Sequence, residues 1–212
     1  AVPFGTPFFN IALIAPQWAD GTVALLVSIV LVNLLVLLEV ADRLSLKNDL
    51  EIAREIQQAM LPSGVYSADG VETLGLSRPA NTVGGDFYDI LPLGDGRLVI
   101  AVGDVSGKGM PAALFMAVWK TLLKASSLPA LSIGEIVARA NNELCEEADA
   151  GMFVTLLYAL LNTATGELEF CNAGHLAPFL LREDGAVAPL DSPPCPALGL
   201  LRDVSYATAS VR

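Results

Sequence analysis

Hydrophobic and polar positions change rhythm three times along this chain. Residues 21–38, GTVALLVSIVLVNLLVLL, carry no charge. A helix of that length rises about 27 Å at ~1.5 Å per residue, close to the thickness of a bilayer's hydrocarbon core, which predicts a transmembrane helix. Over residues 39–61 the apolar positions recur three or four apart, at Val40, Ala41 and Leu44 and then at Ile52, Ile56 and Met60, with polar residues between them, and Pro62 stops the run. This spacing predicts a connecting helix. From about Val71 the period shortens to two. Residues 87–93 and 98–105 flank Gly94-Asp95-Gly96, residues 153–162 and 168–173 flank Thr163-Ala164-Thr165-Gly166, and a weaker pair, 178–181 and 187–190, is joined through Asp184-Gly185. Each pair reads as a hairpin, and adjacent hairpins make antiparallel sheet. Two helices interrupt the strands. One begins at Pro111, a favoured first helical residue, and the other at Ser132, where Glu135 three residues on completes a capping box; it runs to about Ala148. Helices stacked on antiparallel sheet give an α+β fold class rather than a doubly wound parallel one.

The charges orient the apolar run. Arg43, Lys47 and Arg54 follow it and no Lys or Arg precedes it, so the positive-inside rule places everything after residue 38 in the cytoplasm. A signal peptide is disfavoured, because the basic leader and a small-x-small cleavage site are both missing. Residues 1–20, interrupted by Pro3, Pro7 and Pro16 and carrying Trp18, read as an extracytoplasmic segment or the tail of an earlier span. The first residue, Ala1, fits a chain cut from something longer. Asn33 within the run is either interhelical glue or simply tolerated.

Composition removes several function classes. With 53% hydrophobic and 17% charged residues the chain is no disordered polyelectrolyte. Twelve Lys and Arg against 23 Asp and Glu, a net charge of −11 and no basic block leave nothing to neutralise a nucleic-acid backbone. Cys145, Cys171 and Cys195 are widely spaced, with no C-x-x-C pair, and read as reduced thiols of a cytosolic compartment.

Candidate chemistry concentrates in two corners where Gly and Asp meet predicted strand ends: Gly84-Gly85-Asp86-Phe87-Tyr88-Asp89 and Gly103-Asp104-Val105-Ser106-Gly107-Lys108-Gly109. A carboxylate beside glycine on a rigid strand offers a hard divalent cation both side-chain and backbone oxygens. One such corner alone is ordinary turn chemistry. Two of them, each entered by an apolar strand, point to a site. The second corner is no P-loop, since only three residues separate its glycines and Gly109 follows the lysine. No Gly-x-Ser-x-Gly elbow occurs, and the single histidine, His175, has no obvious triad partners, so it reads as a hydrogen-bonded loop residue.

Five ordered segments together resemble the metal-dependent serine/threonine protein phosphatases of PPM type, in their bacterial SpoIIE/RsbU-like branch. They are EIAREIQQAMLP (51–62), RPANTVGGDFYD (78–89), VGDVSGKGMPAAL (102–114), MFVTLLYALLNTATGELEFCNAGH (152–175) and PALGLL (196–201). The resemblance implies a four-layer α-β-β-α sandwich of antiparallel sheets over 62–212, preceded by the membrane and connecting helices. It implies a site of two Mn²⁺ or Mg²⁺ ions that activate water for direct attack on phosphorus. Asp86 would bind one ion, Asp104 would bridge both, and the Val105 carbonyl would be a further ligand. Lys108 is the candidate for attracting substrate phosphate, and Asp89 reads as a supporting or turn residue. The implied partner is a phosphoprotein, by resemblance a STAS-type anti-sigma-factor antagonist. Residues 39–61 are a candidate homodimer contact and a route by which a signal reaches Asp86.

The resemblance also implies further metal-binding aspartates from a Thr-Asp-Gly segment and a final Asp-Asp-x-Thr-like segment, downstream of PALGLLRDVSYATASVR. Neither lies within residues 1–212, and Asp191 and Asp203 do not match them. The match is therefore C-terminally incomplete, and these 212 residues are expected to show weak or absent phosphatase activity although the complete gene product would be an enzyme. The rival expectation is a noncatalytic membrane-anchored regulatory or binding module on a degenerate phosphatase fold.

Overall fold

A computed structural model describes residues 17–68, 70–126, 131–147 and 151–212. Helix α1 runs unbroken over Gln17–Met60, 44 residues, so the apolar run and the charged run after it form one element. It contains no interior proline and ends where Pro62 removes a backbone donor. Over residues 21–49 every position is exposed, on all sides of the helix. Ser28 and Asn33, the polar residues of the apolar run beyond its first turn, bond back to the carbonyls of Ala24 and Ile29 at 2.8 Å each. Asn33 is thus satisfied within its own helix, which makes it tolerable in an apolar setting. By contacts the chain divides into Ala1–Asp49 and Leu50–Arg212.

Within the second unit, β3 (Phe87–Gly94), β4 (Arg97–Val105), β5 (Val154–Asn162), β6 (Glu167–Ala173) and β9 (Ala209–Val211) form one antiparallel sheet in the order β3-β4-β5-β6-β9. The β3–β4 turn has Asp95 at φ 49° and Gly96 at φ 75°, the left-handed pair that lets a two-residue turn match strand twist. Two separate hairpins, β1 (Val65–Ala68) with β2 (Val71–Leu74) and β7 (Phe179–Leu181) with β8 (Val187–Pro189), complete the described strands. All pairings between these strands are antiparallel, as the α+β expectation requires.

Helices α2 (Gly109–Ser126) and α3 (Ile133–Glu147) cover one face of the sheet. Strand alternation sends Phe87, Val99, Ala101, Val105, Val154, Leu156 and Tyr158 toward them, where they pack with Met116, Trp119, Val137 and Leu144. Each of these side chains is at most 3% exposed, and burial of their apolar surface is a main contribution to the stability of the unit. The capping box on α3 is formed as expected: Ser132 N–H donates to Glu135 Oε2 at 2.8 Å and Glu135 N–H to Ser132 Oγ at 3.4 Å. Helix α2 starts two residues before Pro111.

The other face of the sheet grades from covered to open. Along β4, Leu98 is 1% exposed, Ile100 is half-buried, Val102 is 37% exposed, and Asp104 lies open at the strand's end. Residues 73–78, β2 and the segment after it, line a cleft with Tyr88, Ile100 and Val102 on this face. Two glycines allow close approach where β3 meets the end of β4. A Cβ on Gly103 would collide with the Phe87 ring, and one on Gly85 would meet the Val105 carbonyl oxygen at 2.7 Å.

Candidate functional site

The register of β3 on β4 builds the site. Phe87 pairs with Gly103, so one step outward Asp86 and Asp104 stand side by side at the ends of neighbouring strands. Alternation turns both away from the helices, because their neighbours Phe87 and Val105 point into the core. The two carboxyls come within hydrogen-bonding reach of one another. Partial burial, then the facing Asp86 charge, hold the Asp104 carboxyl above the usual aspartate value. The Val105 carbonyl lies against Gly85, beside Asp86 in sequence. Asp86, Asp104 and Val105, the three residues expected to gather, are therefore in one corner of the fold.

Surrounding elements fix this corner. Gln57, buried near the end of α1, clasps the backbone of Gly84: its Nε2 donates to the Gly84 carbonyl at 2.6 Å and its Oε1 accepts the Gly84 N–H at 3.2 Å. The Tyr88 hydroxyl lies 2.9 Å from the Pro62 carbonyl and 3.0 Å from that of Gly75, tying β3 to the β2 side of the cleft. Beyond Asp104, the Ser106 N–H donates to the Phe153 carbonyl and Ser106 Oγ accepts the Phe153 N–H, both at 2.9 Å. Lys108 is exposed on the loop that follows, between Gly107 at φ 96° and Gly109 at φ 70°.

Asp89 departs from the sequence reading. It is neither a turn residue nor a neighbour of the acidic pair, because alternation along β3 turns it to the helical face, opposite Asp86. There it is 6% exposed and pairs with Lys120 of α2, Nζ to Oδ1 at 3.3 Å. Lys120 Nζ also donates to the Tyr88 carbonyl at 3.1 Å. Burial lowers the Lys120 pKa and the Asp89 charge opposes that shift.

Two partners of the acidic pair escaped the sequence reading. Thr155 stands opposite Asp104 in the β4–β5 register, and its Oγ1 is 2.8 Å from Nδ1 of His175. Nothing in the sequence singles out Thr155, because residues 98–105 and 153–162 belong to two different predicted hairpins and only the β4–β5 register brings them together. His175 N–H is in turn held by Asn172 Oδ1 at 2.7 Å, an Asx-type turn. His175 is thus a hydrogen-bonded loop residue, as its sequence context suggested, but one placed at the acidic corner. Burial lowers its pKa, while the Asp86 charge acts to raise it. His175, Asp86, Tyr88, Ser77 and Arg78 all border the cleft, whose volume is about 460 Å³.

Two facing carboxylates with a neighbouring backbone carbonyl are an all-oxygen donor set. Such a set fits a hard divalent ion such as Mg²⁺ or Mn²⁺. Among the described residues no cluster of three or more His, Cys, Asp and Glu able to hold a metal is formed. Asp203 lies elsewhere, accepting from Asn142 Nδ2 of α3 at 3.4 Å.

The antiparallel α+β fold of this body is shared by solved structures of PP2C-type phosphatases. The SiaA-PP2C domain of Pseudomonas aeruginosa superposes with a TM-score of 0.65 at 20% identity, covering 81% of this chain and 68% of that one. RsbX in complex with magnesium superposes with a TM-score of 0.53 at 19% identity, covering 70% and 71%. Residues 94–212 match the family described as stage II sporulation protein E (SpoIIE), and the chain belongs to that family. The phosphoserine phosphatase RsbU of Bacillus subtilis is 30% identical over 164 residues, 76% of this chain and 48% of its own. The chain spans about half or less of the length of the curated relatives it matches.

Proposed function

We propose that this chain is a membrane-anchored, metal-dependent phosphoserine/phosphothreonine protein phosphatase of bacterial signalling. The observation that carries the reading is the convergence of Asp86 and Asp104 at one open strand end, in a member of the SpoIIE family. Asp86, Asp104 and the Val105 carbonyl would hold the cation. When bound, the cation supplies positive charge that acidifies a water and offsets charge on the phosphoryl oxygens. The chain's own contribution is placement: Gln57 and Gly85 fix the approach of Asp86, and Ser106 fixes the loop that carries Lys108. Lys108, exposed beside this corner, attracts the substrate phosphate. No protein nucleophile is needed, in keeping with the absence of a nucleophile elbow from the sequence.

Helix α1 is long and apolar enough to cross a membrane, and this supports anchoring through residues 21–38 with the catalytic unit on the cytoplasmic side. The substrate would be a phosphoprotein, with a STAS-type anti-sigma-factor antagonist the expected class. Relatives named for RsbU support that choice. Residues 39–61 would transmit the input, as a dimer contact or a shift of the helix, with the Gln57 clasp on Gly84 as the last link before Asp86.

Hydrolysis of a phosphoserine peptide by the full chain in detergent, with Mn²⁺ or Mg²⁺, tests the activity. Metal-dependent turnover lost in Asp104→Asn is the expected result, and turnover indifferent to that substitution refutes the site. A second reading, a noncatalytic regulatory module on the same fold, draws on the lack of a third acidic or histidine ligand among the described residues. Calorimetry separates the two, since a pure scaffold shows no Mn²⁺ binding that depends on Asp104.

A further inference from the structure

The acidic pair does not end at β4. Asp86, Asp104 and Thr155 occupy successive positions across three strands, and Thr155 Oγ1 holds His175 Nδ1 at 2.8 Å. The row therefore runs from the candidate cation ligands to an imidazole. The ring's other nitrogen, Nε2, has no partner among the described residues, although His175 is only partly exposed. The ring borders the same cleft as Asp86. Its backbone is pinned by Asn172 and its Nδ1 by Thr155, so the position of Nε2 is set before any ligand arrives.

We propose that His175 is a phosphate-contacting residue, presenting its Nε2–H as a neutral hydrogen-bond donor to the phosphoryl oxygens of a phosphomonoester seated at Asp86 and Asp104. The proposal deepens the phosphatase reading and rests on it. With the Thr155 hydroxyl donating to Nδ1, the ring proton sits on Nε2, and this is the tautomer that can donate into the cleft. A neutral donor suits this place. Two carboxylates already need cationic charge, and a hydrogen bond to a phosphoryl oxygen is charge-assisted without adding a further cation. Ser77 and Arg78 border the same cleft, and Arg78 adds the positive potential that draws a dianion toward it.

The chain contains one histidine, so its imidazole nitrogens give a single, self-assigned pair of ¹⁵N resonances. The full chain in detergent micelles with Mg²⁺ is titrated with inorganic phosphate. The expected result is a saturable movement of the Nε2 resonance with Nδ1 nearly still; an unmoved Nε2 up to the highest phosphate concentration overturns the proposal. Two variants separate contact from architecture. In His175→Gln the amide nitrogen can reach the place of Nε2, whereas in His175→Asn it can reach only that of Nδ1. Phosphate affinity measured by calorimetry should fall about ten- to hundredfold in His175→Asn and by much less in His175→Gln. The reverse order, with Asn the milder change, means that His175 only braces Thr155, and it overturns the proposal. Hydrolysis of a phosphoserine peptide is measured on the same preparation. Absent hydrolysis with the Nε2 response intact removes the phosphatase reading alone, whereas hydrolysis with a silent Nε2 removes only the role of His175.

Discussion

Replacing Asp104 by Asn deletes one of two facing carboxylates while keeping the side chain's shape, and it separates what the acidic pair costs the empty protein from what it gives the loaded one. Two unit charges ~4 Å apart repel by about 4 kcal/mol at an effective dielectric near 20 and about 1 kcal/mol in water. Asp86 and Asp104 are both exposed, so solvent screening puts the value at the lower end, about 1 kcal/mol. In metal-free buffer at neutral pH, Asp104→Asn should therefore raise the melting temperature by about 2–4 °C for a unit of this size. The sign with pH follows from the raised Asp104 pKa. Protonation relieves the repulsion, so the gap between the two proteins is widest at neutral pH. It closes as pH falls through the folded-state value and is gone below the ordinary aspartate range. Mg²⁺ reverses the ranking. At about 100 times the dissociation constant it adds about 2.7 kcal/mol to the wild type, or about 5–10 °C, and little to the variant. Near-ultraviolet circular dichroism of the core, which includes the fully buried Trp119, reads the transition. A variant less stable than wild type without metal, or equal stabilisation of both by Mg²⁺, refutes the reasoning.

Other perturbations address the supports of the site. Gly85→Ala drives a methyl toward the Val105 carbonyl oxygen; the backbone must part there, and Mg²⁺ affinity by calorimetry should fall at least tenfold, with the fold retained by circular dichroism. Lys120→Met strands the Asp89 carboxylate at a site where both side chains are at most 10% exposed and should cost about 3–5 kcal/mol in urea unfolding. The double variant Lys120→Met with Asp89→Leu should recover most of that loss. The Glu135 carboxylate is held below its ordinary pKa by its bonds to Ser132. Its contribution to α3 is present above the ordinary glutamate range and fades as pH falls through the lowered value, so wild type and Glu135→Ala should differ in thermal unfolding at pH 7 and converge once the pH is below that lowered value.

What could be read from the chain alone was what is encoded locally. The hairpin around Asp95 and Gly96 announces itself through period-two alternation and turn residues, and α3 through Ser132 and Glu135. Each of those signals is confined to a few neighbouring residues. Asp86 and Asp104 were legible for the same reason, as glycine-flanked acids at strand ends. Pairings between distant residues were not. Nothing at Gln57 shows that it will bond Gly84, 27 residues on, and Lys120 lies in a helix whose sequence gives no hint of a buried acid. The threonine at 155 carries no signature until register sets it across from Asp104. The edge strand β9, three residues at the chain's end, has too little alternation of its own to be recognised before β6 is there to receive it.

The fit of the Phe87 ring over Gly103 reaches past packing. A strand displaced by a single residue exchanges its two faces. Such a slip of β3 would turn Asp86 into the apolar interior, push the aromatic ring into water and leave Asp104 without its companion. Because the hollow beneath Phe87 exists only where a residue has no side chain, one absent methyl group acts as the notch that keeps the chemistry on the outer side of the sheet.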